Sequence, residues 1–489
     1  MLMLCFPYSG SITPLVFISL VPLLIVEDYI TENKLPSRNV FLHAFICFFI
    51  YNLGTSYWIY NSSTEGGIFA FIFNTTMMCL AFQSFHFIKK HLGNHKGYLS
   101  LPFVWLGFEH AHTNWEFSHP WLSFGNVFSI RTNWIQWYEY TGISGGTLWV
   151  IVINLLFFIL LRKWFAKEKT NKVAWITGLV LSVPLIFSLL IKWSYENKIV
   201  KKKKPFEVVI VQPNIDPNKK WDYSLREETM NLMDSLYEDA ISMKPDLIIF
   251  PETALPSYLK IETRIRKRLQ KKVNESQIPI LIGTVDRQID QNGKKSYFNS
   301  SMYLSPHSEF SMYDKIHLVP FAEYDLIPSA LSPLADLNLN INRGLFKKGE
   351  NYARFRLKDL YFSNLICYES SFPRYARRFV ANGADFLTIQ ANDGWLGTSA
   401  GPFQHFAQAK LRAIENRIPI VRGGNTGISG YVLPTGEVIK KTSLGKQEII
   451  KEEFAIYKSG TFYSFYGDIF AVMSFIFFLF IGPVNCLKE

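Results

Sequence analysis

Three side chains of the chain could perform chemistry together: Glu252 in FPETALP, Lys315 in YDKIHLVPFAEY and Cys367 in NLICYESSFP. Each lies inside or just after a short apolar run that reads as a buried strand, and about fifty to sixty residues separate one from the next. A carboxylate, an amine and a thiol presented from strand ends can act as general base, oxyanion-stabilising cation and nucleophile. The pattern therefore predicts covalent catalysis by the Cys367 thiol.

Each of the three residues also has an ordinary structural interpretation. A cysteine that ends an apolar strand is usually an inert small hydrophobe, a glutamate after a strand can cap a turn, and a lysine is usually solvated. The context of Cys367 favours chemistry, because its segment turns abruptly from apolar to polar and active sites in open α/β sheets gather at the carboxyl ends of strands. Glu252 follows LIIFP, so we expect burial to raise its pKa, which suits a general base for a thiol.

The cysteines are distributed in a way that singles out one thiol. Four of the five, Cys5, Cys47, Cys79 and Cys486, lie in or beside apolar spans, so Cys367 is alone in the middle of the chain. A single cysteine cannot belong to an internal disulfide framework, and in an oxidising compartment a free thiol indicates a function.

The elements that must position these residues alternate between strands and helices. Short β-branched runs predict strands at 208–212, 247–250, 279–285, 364–367, 386–390 and 419–424. Helical patterns cover residues 225–242 and 404–416. The NDGW turn at 392–395 ends its strand in the same way as Glu252 and Cys367 end theirs. This alternation predicts a layered α/β fold.

The remaining sequence predicts a multi-span helical membrane domain. Apolar windows of spanning length lie near 11–30, 40–60, 67–88, 143–161, 174–193 and 462–483. A weaker window near 98–112 contains charged and histidine side chains, so it either spans with those groups facing protein or water, or is re-entrant or interfacial. We therefore predict a membrane domain at 1–200, a catalytic domain at 205–455 and a final transmembrane helix at 460–489.

Positive charge predicts the orientation in the bilayer. The net charge of +11 is concentrated beside the spans, which favours anionic headgroups over nucleic acid as its partner. Basic loops at 89–96 and 162–172, both placed in the cytoplasm, put the catalytic domain outside. The run from Lys201 to Lys204 argues for the opposite orientation.

The ordered motifs of the chain resemble the nitrilase superfamily and, within it, the apolipoprotein N-acyltransferase family. The motifs that carry the resemblance run along nearly the whole chain: PWLSFG, TGISGG, QPNIDPNKKWD, FPETALP, YDKIHLVPFAEY, ICYESSFP, NDGWLGTSAGPFQHF and GGNTGISGYVLPTGE. The resemblance implies an αββα sandwich fused to transmembrane helices, with a Glu-Lys-Cys triad. By this resemblance Glu252 would be the base, Lys315 the oxyanion stabiliser and Cys367 the nucleophile.

The resemblance also implies supporting residues. Glu323 would support the lysine, Tyr368 and Glu369 match positions that the family needs for activity, and the amide of Tyr368 would be a second oxyanion donor. Trp221 resembles a tryptophan near the active-site entrance, although a plain packing role fits its sequence as well. Apolar residues would form a lipid-facing mouth or pack on the sandwich: Pro320, Tyr324, Leu326, Ile327, Leu331, Trp395, Leu396 and Phe403.

The family's activity implies an enzyme of the bacterial inner membrane with its catalytic domain on the periplasmic side. A membrane phospholipid would donate a fatty acyl chain to Cys367, and a diacylated apolipoprotein would accept it on its N-terminal amine. Neither a metal nor an organic cofactor is implied, nucleic acid is not a partner, and we expect a monomer. Two other hypotheses stay open from sequence: a membrane-tethered amidase that passes the same thioester to water, and an inactive lipid- or lipoprotein-binding module.

Overall fold

The computed structural model describes the backbone of residues 1–199, 205–220, 222–324, 346–456 and 460–486. The chain divides into two compact units. The first comprises residues 1–57, 67–196 and 466–489, and the second comprises residues 58–66 and 197–465. Of the residues named above, Trp221, Leu326, Ile327, Leu331 and the lysine run at 201–204 lie outside the described residues.

The first unit is helical. Its longer helices are α1 (Val21–Glu32), α2 (Arg38–Ser56), α3 (Thr64–Leu92), α4 (Ser100–His112), α5 (Tyr138–Phe165), α6 (Asn171–Ile199) and a C-terminal helix (Ile469–Cys486). Within the described residues, five segments are long and apolar enough to cross a membrane, counting Thr13–Glu32 as one. The chain is therefore a membrane protein, as predicted.

The weaker window near 98–112 forms a helix that is too short to span the bilayer by itself. Helix α4 has 13 residues, which at 1.5 Å per residue gives about 20 Å against the ~30 Å of a hydrocarbon core. It packs on the C-terminal helix of the same unit, where Gly107 lies against Ser474 and Phe475, and the rings of Phe103 and Phe477 are 4.7 Å apart. The absence of a side chain at Gly107 lets the two helices approach closely.

The second unit contains two six-stranded mixed sheets. The first has the order β12-β1-β2-β3-β4-β5 and the second has the order β11-β10-β9-β8-β7-β6. The strands of the first are β1 (Phe206–Gln212), β2 (Leu247–Ile249), β3 (Ile280–Ile289), β4 (Lys295–Leu304), β5 (Ser311–Asp314) and β12 (Glu448–Phe454). Those of the second are β6 (Phe355–Leu357), β7 (Leu360–Ile366), β8 (Phe386–Ala391), β9 (Ile420–Gly424), β10 (Gly430–Val432) and β11 (Val438–Lys441).

Each sheet has a parallel core of three strands with antiparallel strands outside it. Strands β1, β2 and β3 are parallel in the first sheet, and β7, β8 and β9 are parallel in the second. Helices α7 (Arg226–Ser242) and α8 (Thr263–Ser276) connect the first set, and α9 (Pro373–Ala381) and α10 (Ala400–Asn416) connect the second. Parallel strands need such crossovers, which explains the strand-helix alternation in the sequence.

The alternation of side chains along the strands builds four layers. In β1, Val208 and Ile210 join a core that also contains Phe386 of the second sheet, so the two sheets pack face to face. Val209 and Val211 point the other way and join a core with helices α7 and α8. Helices α9 and α10 cover the second sheet. The αββα sandwich is confirmed, and so are the six predicted strands and two predicted helices.

Candidate active site

Glu252 occupies a buried position at the carboxyl end of β2. The strand ends at Ile249, and the chain then turns sharply, since Thr253 has a left-handed φ of 44°. The turn packs on Gly283 of β3, where an added Cβ would lie 2.7 Å from the Cα of Glu252 and would also overlap the backbone of Pro251 and Thr253. A glycine at this position therefore allows the two backbones to approach closely enough to place the carboxylate.

Lys315 follows β5 directly and lies in a cluster with two carboxylates. Its ammonium is 2.8 Å from Oε2 of Glu323 and 3.7 Å from Oε1 of Glu252, and its side chain is 1% exposed. Asn299 of β4 links the same carboxylates, because its Nδ2 donates to Glu252 at 2.7 Å and to Glu323 at 2.8 Å. The backbone N–H of Lys315 donates to the carbonyl of Asn299. The lysine and the amide thus hold both carboxylates in place.

Cys367 stands at the first residue after β7, at the start of a short 3-10 helix (Cys367–Ser371). Its φ is 50°, the left-handed region that a residue with a Cβ seldom adopts and that costs of order 1–3 kcal/mol. The thiol is partly buried and lies close enough to the Glu252 carboxylate and the Lys315 ammonium to interact with both. The strained turn therefore presents the sulfur to the carboxylate cluster.

The electrostatics of the cluster favour a protonated thiol beside a basic carboxylate. Burial raises the pKa of Glu252, while Lys315 acts against this and Glu323 adds to it. Burial, followed by the charge of Glu252, raises the pKa of Cys367 well above its ordinary value, and Lys315 only partly offsets this rise. Lys315 thus acts in the predicted direction without producing a thiolate at rest, so a base is needed. The direction of the pKa change at Glu252 is the one expected from the sequence.

Lys315 itself stays charged. Burial acts to lower the pKa of its amine, but the carboxylates of Glu323 and Glu252 outweigh burial and raise the pKa above its ordinary value. A permanent ammonium beside the thiol can stabilise an oxyanion that develops during attack on a carbonyl.

Glu369 fastens the Cys367 turn to the lysine loop. One of its carboxylate oxygens accepts the N–H of Ile316 at 2.6 Å and that of His317 at 3.0 Å, and the other accepts the N–H of Ile366 at 2.7 Å. The hydroxyl of Tyr313 donates to both oxygens. Burial raises the pKa of Glu369 to about 7. This one side chain therefore sets the spacing between the residues that flank Lys315 and Cys367.

The remaining predicted residues differ in how far they are buried. Tyr368 is partly buried and packs on Phe372, with ring centroids 5.0 Å apart. Trp395 lies on the short helix Asp393–Leu396 and is 45% exposed, whereas Phe403 packs against the sandwich core. The two interpretations of the apolar loops thus apply to different residues: Trp395 fits a mouth, and Phe403 fits packing.

Two residues of this region were not predicted to have a role. Asn299 sits in the strand segment YFNSSMYL, and its buried Oδ1 has no hydrogen-bond partner among the described residues. Lys220 is 1% exposed, donates to the carbonyl of Thr253 at 2.8 Å, and has its pKa lowered to about 8 by burial. A polar residue inside a strand and a lysine in a proline-rich loop are weak signals, and only the fold brings either of them to Glu252.

A network of buried polar side chains lies next to Cys367. His405 contacts Asp393 at 2.7 Å, and Arg422 contacts the other carboxylate oxygen of Asp393 at 2.6 Å. Cys367, Asp393 and His405 bring potential metal ligands within 4.8 Å of one another. However, both ring nitrogens of His405 and both oxygens of Asp393 already take part in hydrogen bonds or ion pairs, and the nearby guanidinium opposes a cation. The chemistry of these groups does not fit a metal, and the prediction of no cofactor stays a prediction.

Comparisons with known proteins match the two parts of the chain to two families of domains. Residues 207–456 match the carbon-nitrogen hydrolase family, so the sandwich is a nitrilase-like hydrolase domain. Residues 1–156 match the apolipoprotein N-acyltransferase N-terminal domain. A solved carbon-nitrogen hydrolase from Helicobacter pylori G27 is 16% identical, with a TM-score of 0.40 over 51% of this chain and 88% of that one.

Full-length relatives identify the family. An apolipoprotein N-acyltransferase of Geobacter metallireducens is 31% identical over 486 residues, which cover 96% of this chain and 90% of that protein. One of Chlorobaculum tepidum is 29% identical over 479 residues, covering 93% and 89%. The chain belongs to the apolipoprotein N-acyltransferase family and is an acyltransferase.

Proposed function

We propose that this protein transfers a fatty acyl chain from a membrane phospholipid, through a thioester on Cys367, to the N-terminal amine of the diacylglyceryl-cysteine of an apolipoprotein. The bacterial inner membrane would be its location, with the catalytic domain on the periplasmic side. The observation that carries the proposal is the convergence of Glu252, Lys315, Glu323 and the Cys367 thiol in one buried cluster. Membership of the acyltransferase family and five potential spans support it.

In the first half-reaction the thiol proton moves to Glu252 as the Cys367 sulfur attacks the ester carbonyl of the phospholipid. The oxyanion is stabilised by the Lys315 ammonium and the backbone N–H of Tyr368. When the tetrahedral intermediate collapses, the ester C–O bond breaks and Glu252 returns the proton to the leaving lysophospholipid oxygen. The raised pKa of Glu252 suits both steps, because the group must accept a proton and then release it.

In the second half-reaction the free amine of the lipoprotein attacks the thioester carbonyl. Glu252 removes the proton from the attacking nitrogen, the C–S bond breaks, and the proton returns to the sulfur. The product is an amide, and the enzyme regains its thiol. A covalent intermediate between two substrates predicts ping-pong kinetics.

The proposal is tested on purified full-length protein in phospholipid nanodiscs. Intact mass spectrometry and peptide mapping should show an acyl adduct on Cys367, and a diacylated lipopeptide should then remove the adduct and become triacylated. Cys367→Ser should fold with an unchanged thermal midpoint and transfer nothing. Turnover by that variant, or wild-type protein that never carries an adduct, would contradict the assigned nucleophile and favour a binding module.

A hydrolase is the second candidate, and the match of residues 207–456 to the carbon-nitrogen hydrolase family favours it. Both reactions share the thioester, and only the acceptor differs. With lipopeptide present, triacylated product supports transfer, whereas free fatty acid with unchanged lipopeptide supports hydrolysis.

The location of the catalytic domain can be measured separately. A cysteine introduced at exposed Lys267 of α8, in a variant whose other cysteines are replaced by serine, should react with a membrane-impermeant maleimide in intact spheroplasts. Labelling only after lysis would place the domain in the cytoplasm, as the lysine run at 201–204 would suggest.

A further inference from the structure

The backbone of the Cys367 turn is held by contacts that the transfer reaction does not itself require. The carbonyl oxygen of Cys367 lies 2.7 Å from the hydroxyl of Ser370 and 3.1 Å from Nε2 of His405. The same Ser370 hydroxyl is 2.9 Å from Nε2 of His405. The carbonyl, the hydroxyl and the imidazole therefore form a closed triangle of contacts at the turn.

The imidazole in this triangle is held in place by Asp393 and Arg422. Nδ1 of His405 lies 2.7 Å from a carboxylate oxygen of Asp393 and 3.1 Å from the guanidinium of Arg422. The second oxygen of Asp393 accepts from the guanidinium of Arg422 at 2.6 Å. The four residues of this polar network, Ser370, His405, Asp393 and Arg422, are each at most 2% exposed.

Ser370 is the link between the anchored ring and the turn. Its hydroxyl donates to the Cys367 carbonyl, and Nε2 of His405 lies within hydrogen-bonding distance of both the hydroxyl oxygen and the carbonyl. The hydroxyl thus forms a bridge between the ring and the Cys367 carbonyl: its proton goes to the carbonyl and its oxygen faces Nε2. Turning the Cys367 peptide would break this bridge and would leave the carbonyl of Cys367 without its donor.

We propose that Ser370 and His405, anchored by Asp393 and Arg422, are positioning residues that keep Cys367 in its left-handed conformation. The φ of 50° is unfavourable for a cysteine, so it needs such external contacts to persist. Holding the Cys367 carbonyl fixes the orientation of the following peptide, whose N–H belongs to Tyr368, and directs the thiol toward Glu252. The assignment of these roles to thioester formation rests on the proposed function.

The chain offers a matched control at the next residue. Ser371 is also buried, at 2% exposed, but its hydroxyl has no hydrogen-bond partner within the described part of the chain. Ser370→Ala and Ser371→Ala therefore remove the same atom one residue apart, and only the first removes the bridge. His405→Gln and His405→Asn form a second pair, because the longer glutamine amide reaches the place of Nε2 and the asparagine amide reaches only that of Nδ1.

Two rates should be measured on each full-length variant in nanodiscs: carbamidomethylation of Cys367 by iodoacetamide, followed on its tryptic peptide across pH, and single-turnover acylation of Cys367 by phospholipid. We expect Ser370→Ala and His405→Asn to slow both rates about tenfold to a hundredfold, the range for a misplaced reacting group, with the KM for phospholipid unchanged. Ser371→Ala should stay within about twofold of wild type, and His405→Gln should recover much of the loss.

Equal rates for the two serine variants, or for the glutamine and asparagine variants, would overturn the positioning role. A loss confined to KM or to thermal stability would do the same. Should Ser370→Ala fail to fold, the His405 pair carries the same comparison. If the alkylation pattern holds while no variant, including wild type, is acylated by phospholipid, the positioning role stands and the proposed acyl donor is wrong.

Discussion

Two buried lysines, each between two carboxylates, occupy different parts of this chain. In the helical unit Lys89 is 2.5 Å from Glu27 and 3.1 Å from Asp28, and the guanidinium of Arg162 lies 3.2 Å from the same aspartate. The two buried carboxylates therefore face two permanent cations, while His86 lies 2.7 Å from Glu27 and the half-exposed Glu32 lies 2.5 Å from Arg162. A balanced buried cluster of this kind is a structural feature that is costly to break.

The cluster in the hydrolase domain is not balanced. Glu252 and Glu323 contact one ammonium, that of Lys315, and the third neighbour is the thiol of Cys367. Among these contacting groups one negative charge is left over, and together with burial it keeps the thiol protonated beside a basic carboxylate. Comparison of the Lys89 and Lys315 clusters indicates that a buried ion cluster is reactive where it lacks one cation and contains a group that can lose a proton.

The largest effect on acylation is expected for a substitution of Lys315. Lys315→Met leaves two buried carboxylates without a cation and removes the oxyanion stabiliser, so we expect acylation of Cys367 to fall about a thousandfold. Single-turnover labelling with a radiolabelled phospholipid measures this, with the fraction of folded protein taken from circular dichroism. Acylation within tenfold of wild type would show that the lysine is dispensable.

Substitutions of two neighbours of Glu252 should shift the pH dependence of acylation in opposite directions. Burial raises the pKa of Glu252; Glu323 adds to the rise and Asn299 reduces it. The base works only when ionised, so acylation declines as pH falls through this raised pKa. Glu323→Gln should therefore move the decline to lower pH, and Asn299→Leu should move it to higher pH, each with about a tenfold loss of rate at neutral pH.

Profiles of acylation rate against pH for these two variants test whether the decline at low pH reports the pKa of Glu252. Shifts in the same direction, or no shift in either, would mean that the decline at low pH reports another group. Asn299→Leu fills roughly the same volume as the amide, so a change in pH profile would not arise from a cavity.

A smaller effect is expected at the exposed edge of the site. Trp395 is 45% exposed, so its loss leaves the buried cluster unchanged and removes only surface that a lipid could contact. Trp395→Ala should raise the KM for phospholipid about fivefold, close to 1 kcal/mol, with kcat unchanged. A fall in kcat at constant KM would instead place this residue in the chemical step.

The balanced cluster should have no effect on the reaction. Lys89→Met should leave the acylation rate per folded molecule within about twofold, while it destabilises the helical unit by about 3–5 kcal/mol. Thermal unfolding followed by a fluorescence dye measures the second effect. The double change Glu27→Gln with Lys89→Met keeps the charge balance and should recover part of the stability, and its failure to do so would show that packing, not charge, dominates there.

Much of the hydrolase fold could be predicted because its central strands are apolar and flanked by turns. The parallel strands β2, β7, β8 and β9 follow this pattern, and so do the positions of Glu252 and Cys367 at strand ends. Edge strands were not predicted, since β6 has three residues and β11 reads VIKK, with little apolar content. Pairing with a neighbour, not composition, makes these segments strands.

The partners of the reacting groups were harder to find than the groups themselves. Asn299 reads as an ordinary polar residue in a strand, and its role appears only because β4 pairs with β5 so that Lys315 follows at its side. His405 lies 38 residues after Cys367, on a helix whose buried face carries mostly apolar side chains. Contacts of this kind depend on three-dimensional register, which residue spacing along the chain does not encode.

The contact between Gly283 and the backbone of Glu252 has a consequence for mutational screens of this protein. A library selected for inactive clones should identify position 283 as strongly as the three reacting side chains, because even a methyl group there would displace the base. An atom that takes no part in the reaction, a glycine hydrogen, would thus be scored as essential. Random inactivation therefore maps the geometry of the pocket, and direct labelling of the sulfur is needed to map its chemistry.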